Sequence, residues 1–508
     1  MAAVKEYDLI VVGAGMAGII AAARISERGI NPRTGDRLRV ALIEAGPHIL
    51  KGQTKPGYGD PLNRRMIPQM LWEEFGNLEE WPWAFGLKAV GGCSLHWGCH
   101  VHLPFAEDYA NWSAMGIRWT RDDMKEAVDD ITKNFHVEAD PEEAYTRGER
   151  MFREASQAMG HRVIPVLTTR KNCIYCGFHN ESHGCKYDAK ATSLWYLPTA
   201  EANGVELIDR ADVKKVIIEK QGAGGVVKGV VFEKNGVVEE ARAEKVIVSC
   251  GSWGTPVLLA RSGYGPKDEL GDGVIVENDN VGRNLDGDTS FRVPLYFPEP
   301  IKEAGRGTNS SIGFFISDPS FSDGTGFVRV STAELSYLNY PHISAMSEFA
   351  PAFGKAHMDF MRTAVTRLGA ISVLFNRAPL HVKGRVNLRT GAQSYPGDPY
   401  IDKRMHEAKE VVFGLARKMG AKYSTRFPAS FLGRGGGHTN GTCRAGSDRR
   451  NSVVNGDFES HEVKGLFVVD ASSYPRASVN SGLFAAIMGA FGARRIVATH
   501  FSRGAGNG

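Results

Sequence analysis

Residues 7–29, "YDLIVVGAGMAGIIAAARISERG", constrain this chain more than any other stretch. "YDLIVV" at 7–12 is the pattern of a short buried strand, and 19–29 carry apolar residues at helical spacing. Gly13, Gly15 and Gly18 lie between them. "LRVALIEAG" at 38–46 is a second buried strand, with Glu44 and Ala45 at its end. Strand, glycine turn, helix and strand make a parallel unit whose crossover is right-handed, so the expectation is an α/β fold. The glycines have separate tasks. Gly13 permits the tight turn, Gly15 lets backbone approach a pyrophosphate, and Gly18 lets helix and strand pack closely. The helix N-terminus carries partial positive charge toward the phosphates. Glu44 stands where a carboxylate accepts from ribose hydroxyls and repels a 2′-phosphate, which disfavours NADP.

Length and charge narrow the class. At 508 residues the chain needs two to four domains or one large two-part fold. Hydrophobic residues make up 42% and charged residues 23%, ordinary for a globular protein. The net charge of +4 is interspersed without a long basic run, and no nucleic-acid partner is assigned. "MAAVKEYDLIVVGAG" leads straight into a strand rather than a secretory signal. No uninterrupted apolar run reaches the roughly 18 residues of a bilayer span, so no membrane span is expected. Seven cysteines without a secretory signal point to a reducing, cytoplasmic setting with free thiols.

Further along, "VGGCSLHWGCHVHLP" at 90–104 is a second glycine cluster. Residues 106–160 read as mostly helical, with Thr120 as the N-cap of 120–135. Residues 205–252 alternate as a run of antiparallel strands ending in a buried strand at 245–250. Residues 288–430 hold strand candidates and then an amphipathic helix at 402–421. The last 50 residues return to an α/β pattern. There "GLFVVDAS" at 465–472 runs into a turn at Asp470 and Ala471, and 482–500 form a long apolar helix. No second nucleotide fingerprint follows the first. A discontinuous domain closing on one long dinucleotide favours FAD over NAD.

These segments together resemble the glucose-methanol-choline (GMC) oxidoreductases, FAD enzymes that oxidise alcohols. "VVGAGMAG" and "LIEAG" resemble the family's FAD-binding start, and "VGGCSLHWG" at 90–98 its second FAD loop. "GSWGTPVLLARSGYG" at 251–265, "VGRNL" at 281–285, "GGGHTNGTCRAGSDRRNSVVN" and the C-terminal block complete the match in order. The resemblance implies a Rossmann-like FAD-binding domain from 1–105, 200–290 and 431–505. It also implies a helical, cysteine-containing insertion at 106–199 and an inserted antiparallel-sheet substrate domain at 291–430. It makes His438 the general base and Asn480 its hydrogen-bonding partner. Gly13, Gly15, Gly18, Glu44, Ala45, Gly91, Gly92, Ser94, His96, Trp97, Asp470 and Ala471 become the cofactor-binding residues. A neutral imidazole suits removal of a hydroxyl proton at neutral pH, and an amide fixes the hydroxyl without competing for that proton.

The "SLHWGC" loop and the His/Asn pair resemble pyranose 2-oxidases. That implies a sugar or glycoside oxidised at a secondary ring hydroxyl, with O2 or another electron acceptor taking the electrons. In that branch the histidine before Trp97 is bonded to the flavin; other family members carry the same string without a bond. The alternative is the catalytic subunit of a membrane-linked dehydrogenase passing electrons to an iron–sulfur or cytochrome partner. "CIYCGFHNESHGC", with Cys173, Cys176 and Cys185, is the segment where such a cluster would sit. Its spacing also fits structural thiols, a zinc knuckle or a disulfide; structural thiols are the expectation, with no metal ligand assigned. Trp72, Trp81, Trp83, Phe85, Trp112, Trp119 and Trp195 could stack on sugar faces, but tryptophan in a large protein is more often core. A homo-oligomer is compatible with the sequence.

Overall fold

The computed structural model describes residues 4–48, 87–95, 97–176, 185, 187–287, 289–303, 307–308, 311–316, 328–333, 349–375, 383–396, 399–425, 438–476 and 481–502. Its organising element is a five-stranded parallel sheet in the order Leu466–Val468, Val246–Val248, Leu9–Val12, Val40–Ile43, Glu206–Ile208. The Leu9–Val12, Val40–Ile43, Val246–Val248 and Leu466–Val468 strands are wholly buried, as sheets covered on both faces require. Strands from the two ends and the middle of the chain therefore share one sheet. The alternation at 205–252 suggests only antiparallel pairing; the structure instead gives Glu206–Ile208 to the parallel sheet, beside Val40–Ile43. The hairpins that follow, Ala211–Gln221, Gly224–Lys234 and Val237–Arg242, are antiparallel.

Helix Met16–Arg28 crosses from the first strand to the second, and its Ile19, Ile20 and Ile25 are fully buried. Burying each such side chain contributes roughly 1.5–3 kcal/mol. Helix Ser481–His500 packs along it. This helix is long and apolar enough by composition to cross a membrane, a property the interruptions at Arg494 and Arg495 hide in the sequence. It is mostly buried inside the protein and serves as a core helix. At Gly489 an added Cβ would lie 2.6 Å from the Ala17 carbonyl oxygen, so the two helices meet at backbone distance.

A second core lies under a six-stranded sheet ordered Lys422–Tyr423, Thr289–Tyr296, Leu368–Phe375, Val328–Ala333, Ile312–Ile316, Ile164–Pro165. Every pairing in it is antiparallel. Phe314, Val330, Val373, Val412 and Leu415 fill its interior, with helices Arg147–Ala158 and Pro399–Lys418 against it. Ile164–Pro165 belongs to the segment read from sequence as a helical insertion, yet it forms the edge of this sheet. The helices of that insertion start on capping boxes: Thr120 with Asp123, and Thr146 with Glu149.

Trp112 and Trp119 are fully buried. Trp112 stacks on Phe484 at 4.3 Å between centroids and Trp119 on Phe458 at 4.9 Å, so both are core rather than sugar platforms. Trp195 is half-buried against Phe135. Trp72, Trp81, Trp83 and Phe85 lie outside the described residues.

Candidate active site

At the carboxyl ends of Leu9–Val12 and Val246–Val248 the chain leaves in different directions from neighbouring strands, the point at which open α/β sheets form a crevice. Ligands of open α/β sheets bind at such a point. The three glycines of the first turn meet different surroundings there. Gly13 has φ +101°, and a Cβ on it would sit 2.4 Å from the Ser249 carbonyl oxygen. A Cβ on Gly18 would sit 1.9 Å from the Gly13 carbonyl oxygen. Gly15, at the N-cap of Met16–Arg28, has nothing within 4 Å of the same position. Gly13 and Gly18 are thus closed by protein, whereas Gly15 opens onto space at a helix N-terminus.

The second glycine loop closes over this turn. Gly91 N–H donates to the Ala14 carbonyl at 2.8 Å, and a Cβ on Gly92 would lie 2.9 Å from the Gly15 Cα. Both glycines have positive φ, +105° and +51°. Ser94 is fully buried; its hydroxyl donates to Gly91 O at 2.6 Å and accepts from Ser193 N–H at 3.1 Å. It shapes the loop from behind. The Trp97 indole N–H donates to Ala191 O at 2.8 Å. His96 lies outside the described residues.

Glu44 is 8% exposed, and its carboxylate accepts from Ala14 N–H at 2.8 Å and Gly46 N–H at 2.9 Å. The acid is thereby held against the glycine turn, and Ala45 beside it is half-buried. Two cysteines that the sequence did not single out lie within electrostatic reach of Glu44. Cys93, in the second glycine loop, is open to solvent. Cys250 is half-buried, and its thiol is pushed well up, first by burial and then by Asp470 and Glu44 nearby. Next to it Gly251 has φ +75° and open space beside it, at the start of helix Gly251–Arg261. "SCGSWG" after a buried strand was the available signal.

Asp470 has a different place from the one a strand-end acid suggests. Its carboxylate is 4% exposed and accepts from Gly251 N–H at 2.8 Å, Thr255 Oγ1 at 2.6 Å, Ser472 N–H at 2.7 Å and Ser472 Oγ at 2.5 Å. Burial raises its pKa against these four donors. The side chain caps the turn Ala471–Ser473 and ties it to the first turns of helix Gly251–Arg261. Ala471 is half-buried, and its carbonyl accepts from Gly441 N–H at 3.1 Å.

That bond brings in the histidine loop. His438 is exposed at the beginning of the described segment 438–476. Thr439 Oγ1 is 2.8 Å from Ser252 Oγ, in the first turn of Gly251–Arg261. Thr442 Oγ1 donates to Ser252 O at 2.8 Å, and Cys443 N–H donates to Ser472 O at 2.8 Å. The loop after His438 is therefore bolted to both elements that border the crevice. Asn480 lies outside the described residues, immediately before helix Ser481–His500.

Among the described residues no group of three His, Cys, Asp or Glu side chains is arranged to hold a metal. Cys173 Sγ accepts from Tyr175 N–H and Cys185 Sγ from Ala189 N–H, each at 3.4 Å. His179 and His183 lie outside the described residues.

Sheet, turn and crevice define a dinucleotide-binding α/β protein. The chain belongs to the GMC oxidoreductase family: the family's N-terminal pattern matches residues 7–289 and its C-terminal pattern residues 384–490. A long-chain-alcohol oxidase of Arabidopsis thaliana is 23% identical over 525 residues, covering 93% of this chain and 65% of its own length. The chain thus spans about two thirds of the length of those plant relatives. Paromamine 6'-oxidase of Streptomyces fradiae is 23% identical, covering 93% of this chain and 87% of its own. Among solved structures, a formate oxidase superposes with a TM-score of 0.71 at 17% identity, covering 98% of this chain and 99% of its own. Pyridoxine 4-oxidase from Mesorbium loti does so at 0.68 and 18% identity, over 97% and 99%. These likenesses establish the fold. The family's cofactor is FAD. The open side of Gly15 and the acid at Glu44 fit it.

Proposed function

We propose that the protein oxidises an alcohol, with His438 as general base and Asn480 as its hydrogen-bonding partner. The observation that carries this reading is the Thr439–Ser252 contact of 2.8 Å, which anchors the residue after His438 at the border of the cofactor crevice. When bound, FAD supplies the acceptor for the hydride leaving the alcohol carbon. His438 takes the hydroxyl proton on a ring nitrogen, so the C–O bond becomes a carbonyl. Asn480 donates its amide N–H to the same oxygen and holds it in line. Backbone at Gly15 and the N-terminus of Met16–Arg28 would hold the pyrophosphate, and Glu44 would accept from the ribose.

The substrate class we infer is a sugar or glycoside with a secondary ring hydroxyl. The "SLHWGC" loop, similar to that of pyranose 2-oxidases, supports it; a relative named for oxidising paromamine at its 6' position, a primary carbinol, supports the sugar class alone. Relatives named for long-chain alcohols and choline set the competing classes. Anaerobic bleaching of the flavin near 450 nm against D-glucose, paromamine, 1-dodecanol, choline and pyridoxine tests both levels. Bleaching by the first two supports the sugar class; bleaching by another member alone overturns that class and keeps alcohol oxidation. No bleaching by any of the five contradicts the activity. Rapid return of colour in air identifies O2 as acceptor.

A further inference from the structure

Lys383 Nζ lies 2.7 Å from Asp286 Oδ2, across 97 residues of sequence. The Asp286 side chain is 1% exposed and that of Lys383 19%. Removing one member of so buried an ion pair leaves the other charge without its counter-ion. The pair joins two segments that already run together: Arg283 pairs with Arg385, and Leu285 with Gly384. From Asp286 the linkage continues to the histidine loop. Asp286 N–H donates to Asn440 O at 2.9 Å, and Asn440 N–H donates to Asp286 O at 3.0 Å. The Asp286 Oδ1 atom accepts from Gly287 N–H at 3.0 Å, turning the chain toward His438. A Cβ on Gly287 would lie 3.2 Å from the His438 carbonyl oxygen. Asn440 Nδ2 donates to that same oxygen at 3.1 Å. The far side of the loop is held to Ser252 and Ala471, as described above.

We propose that the Lys383–Asp286 ion pair is a positioning device for the base: it locks Asp286 in the register that pairs with Asn440, and so fixes the backbone from which His438 projects. The proposal rests on the reading of His438 as general base. Lys383 itself is assigned no contact with substrate or cofactor. It acts through Asp286, Asn440 and the His438 carbonyl, and a small displacement of a base is costly to proton transfer.

Hydrogen exchange read by mass spectrometry on the peptide spanning 438–445 tests the clamp without substrate. In the FAD-loaded Lys383→Met variant this peptide exchanges about tenfold faster than in wild type, with Lys383→Arg restoring protection. Flavin content and the exchange of the 9–28 peptide stay unchanged. Should Lys383→Met fail to fold because Asp286 loses its counter-ion, the Asp286→Asn/Lys383→Met double variant removes both charges and gives the same fast exchange. Unchanged exchange at 438–445 in a folded variant overturns the proposal, as does fast exchange spread over the whole chain.

A kinetic cycle separates this proposal from the reading beneath it. With whichever of the five alcohols above bleaches the flavin fastest, Lys383→Met lowers the anaerobic reduction rate about tenfold in the His438 background and not at all in His438→Ala. An equal loss in both backgrounds refutes positioning while leaving His438 as base. Undiminished reduction in His438→Ala alone removes the base reading itself, and the proposal with it.

Discussion

Three glycines within six residues carry different loads, and single substitutions separate them. Gly15 faces open space with φ −83° and ψ −163°, angles that alanine adopts freely. Gly15→Ala therefore leaves the melting temperature of the flavin-free protein unchanged but lowers the flavin retained after gel filtration, because its methyl occupies the pyrophosphate's approach. At Gly18 the methyl meets the Gly13 carbonyl at 1.9 Å, so Gly18→Ala lowers stability with or without flavin. Equal effects of the two changes on the flavin-free melt would contradict this division. The tight turn at Gly13 and the close packing at Gly18 were legible because strand, glycines and helix are adjacent in sequence. Asp470 was legible as an important acid but not as a cap: a carboxylate at a strand end accepts equally well from ribose or from Thr255 and Ser472, and the sequence does not place those donors. Lys383 and Asp286 were not legible at all, since charged residues 97 apart reveal nothing of their pairing.

At the scale of elements, the two helices that bear on the cofactor come from opposite ends of the chain. Met16–Arg28 directs its N-terminus at the crevice, and Ser481–His500 braces it. Gly489 sets their spacing, with Ala17 Cα 3.0 Å from where its Cβ would be. Gly489→Val overpacks this contact at a cost of roughly 1–3 kcal/mol and pushes the first helix off its axis. The expected result is a lower thermal midpoint together with loss of bound flavin, measured by melting and by absorbance at 450 nm. Full flavin content at an unchanged midpoint would show that the helices do not meet through Gly489. Apolar spacing identified the first helix in sequence, because a buried helix face leaves a period, and a long apolar stretch identified the second. The short strand Glu206–Ile208 left none: three residues cannot distinguish a parallel partner from the antiparallel hairpins beside it. Ile164–Pro165 was hidden for the same reason, two residues at the edge of a sheet whose other strands begin more than a hundred positions later.

Over the whole molecule, a parallel sheet drawn from distant parts of the chain holds the cofactor side, and an antiparallel sheet with its own core stands beyond it. Family membership over residues 7–289 and 384–490 leaves the intervening strands of that second sheet outside both family patterns. The substrate is the least legible part of this protein for that reason. A pocket's selectivity lies in the side chains that differ between relatives, whereas the cofactor turn is dictated by the shape of a dinucleotide. The loop from His438 to Cys443 joins the two problems, being bolted to Ser252 and Ser472 on one side and to Asp286 on the other. The central claim is that His438 removes the substrate proton. Its most direct measure is the anaerobic, single-turnover rate of flavin reduction in wild type and His438→Ala, at equal flavin content and saturating alcohol. With His438 as the base, the rate falls about 10²–10⁴-fold in His438→Ala while the flavin spectrum stays intact. Reduction at the wild-type rate would contradict it.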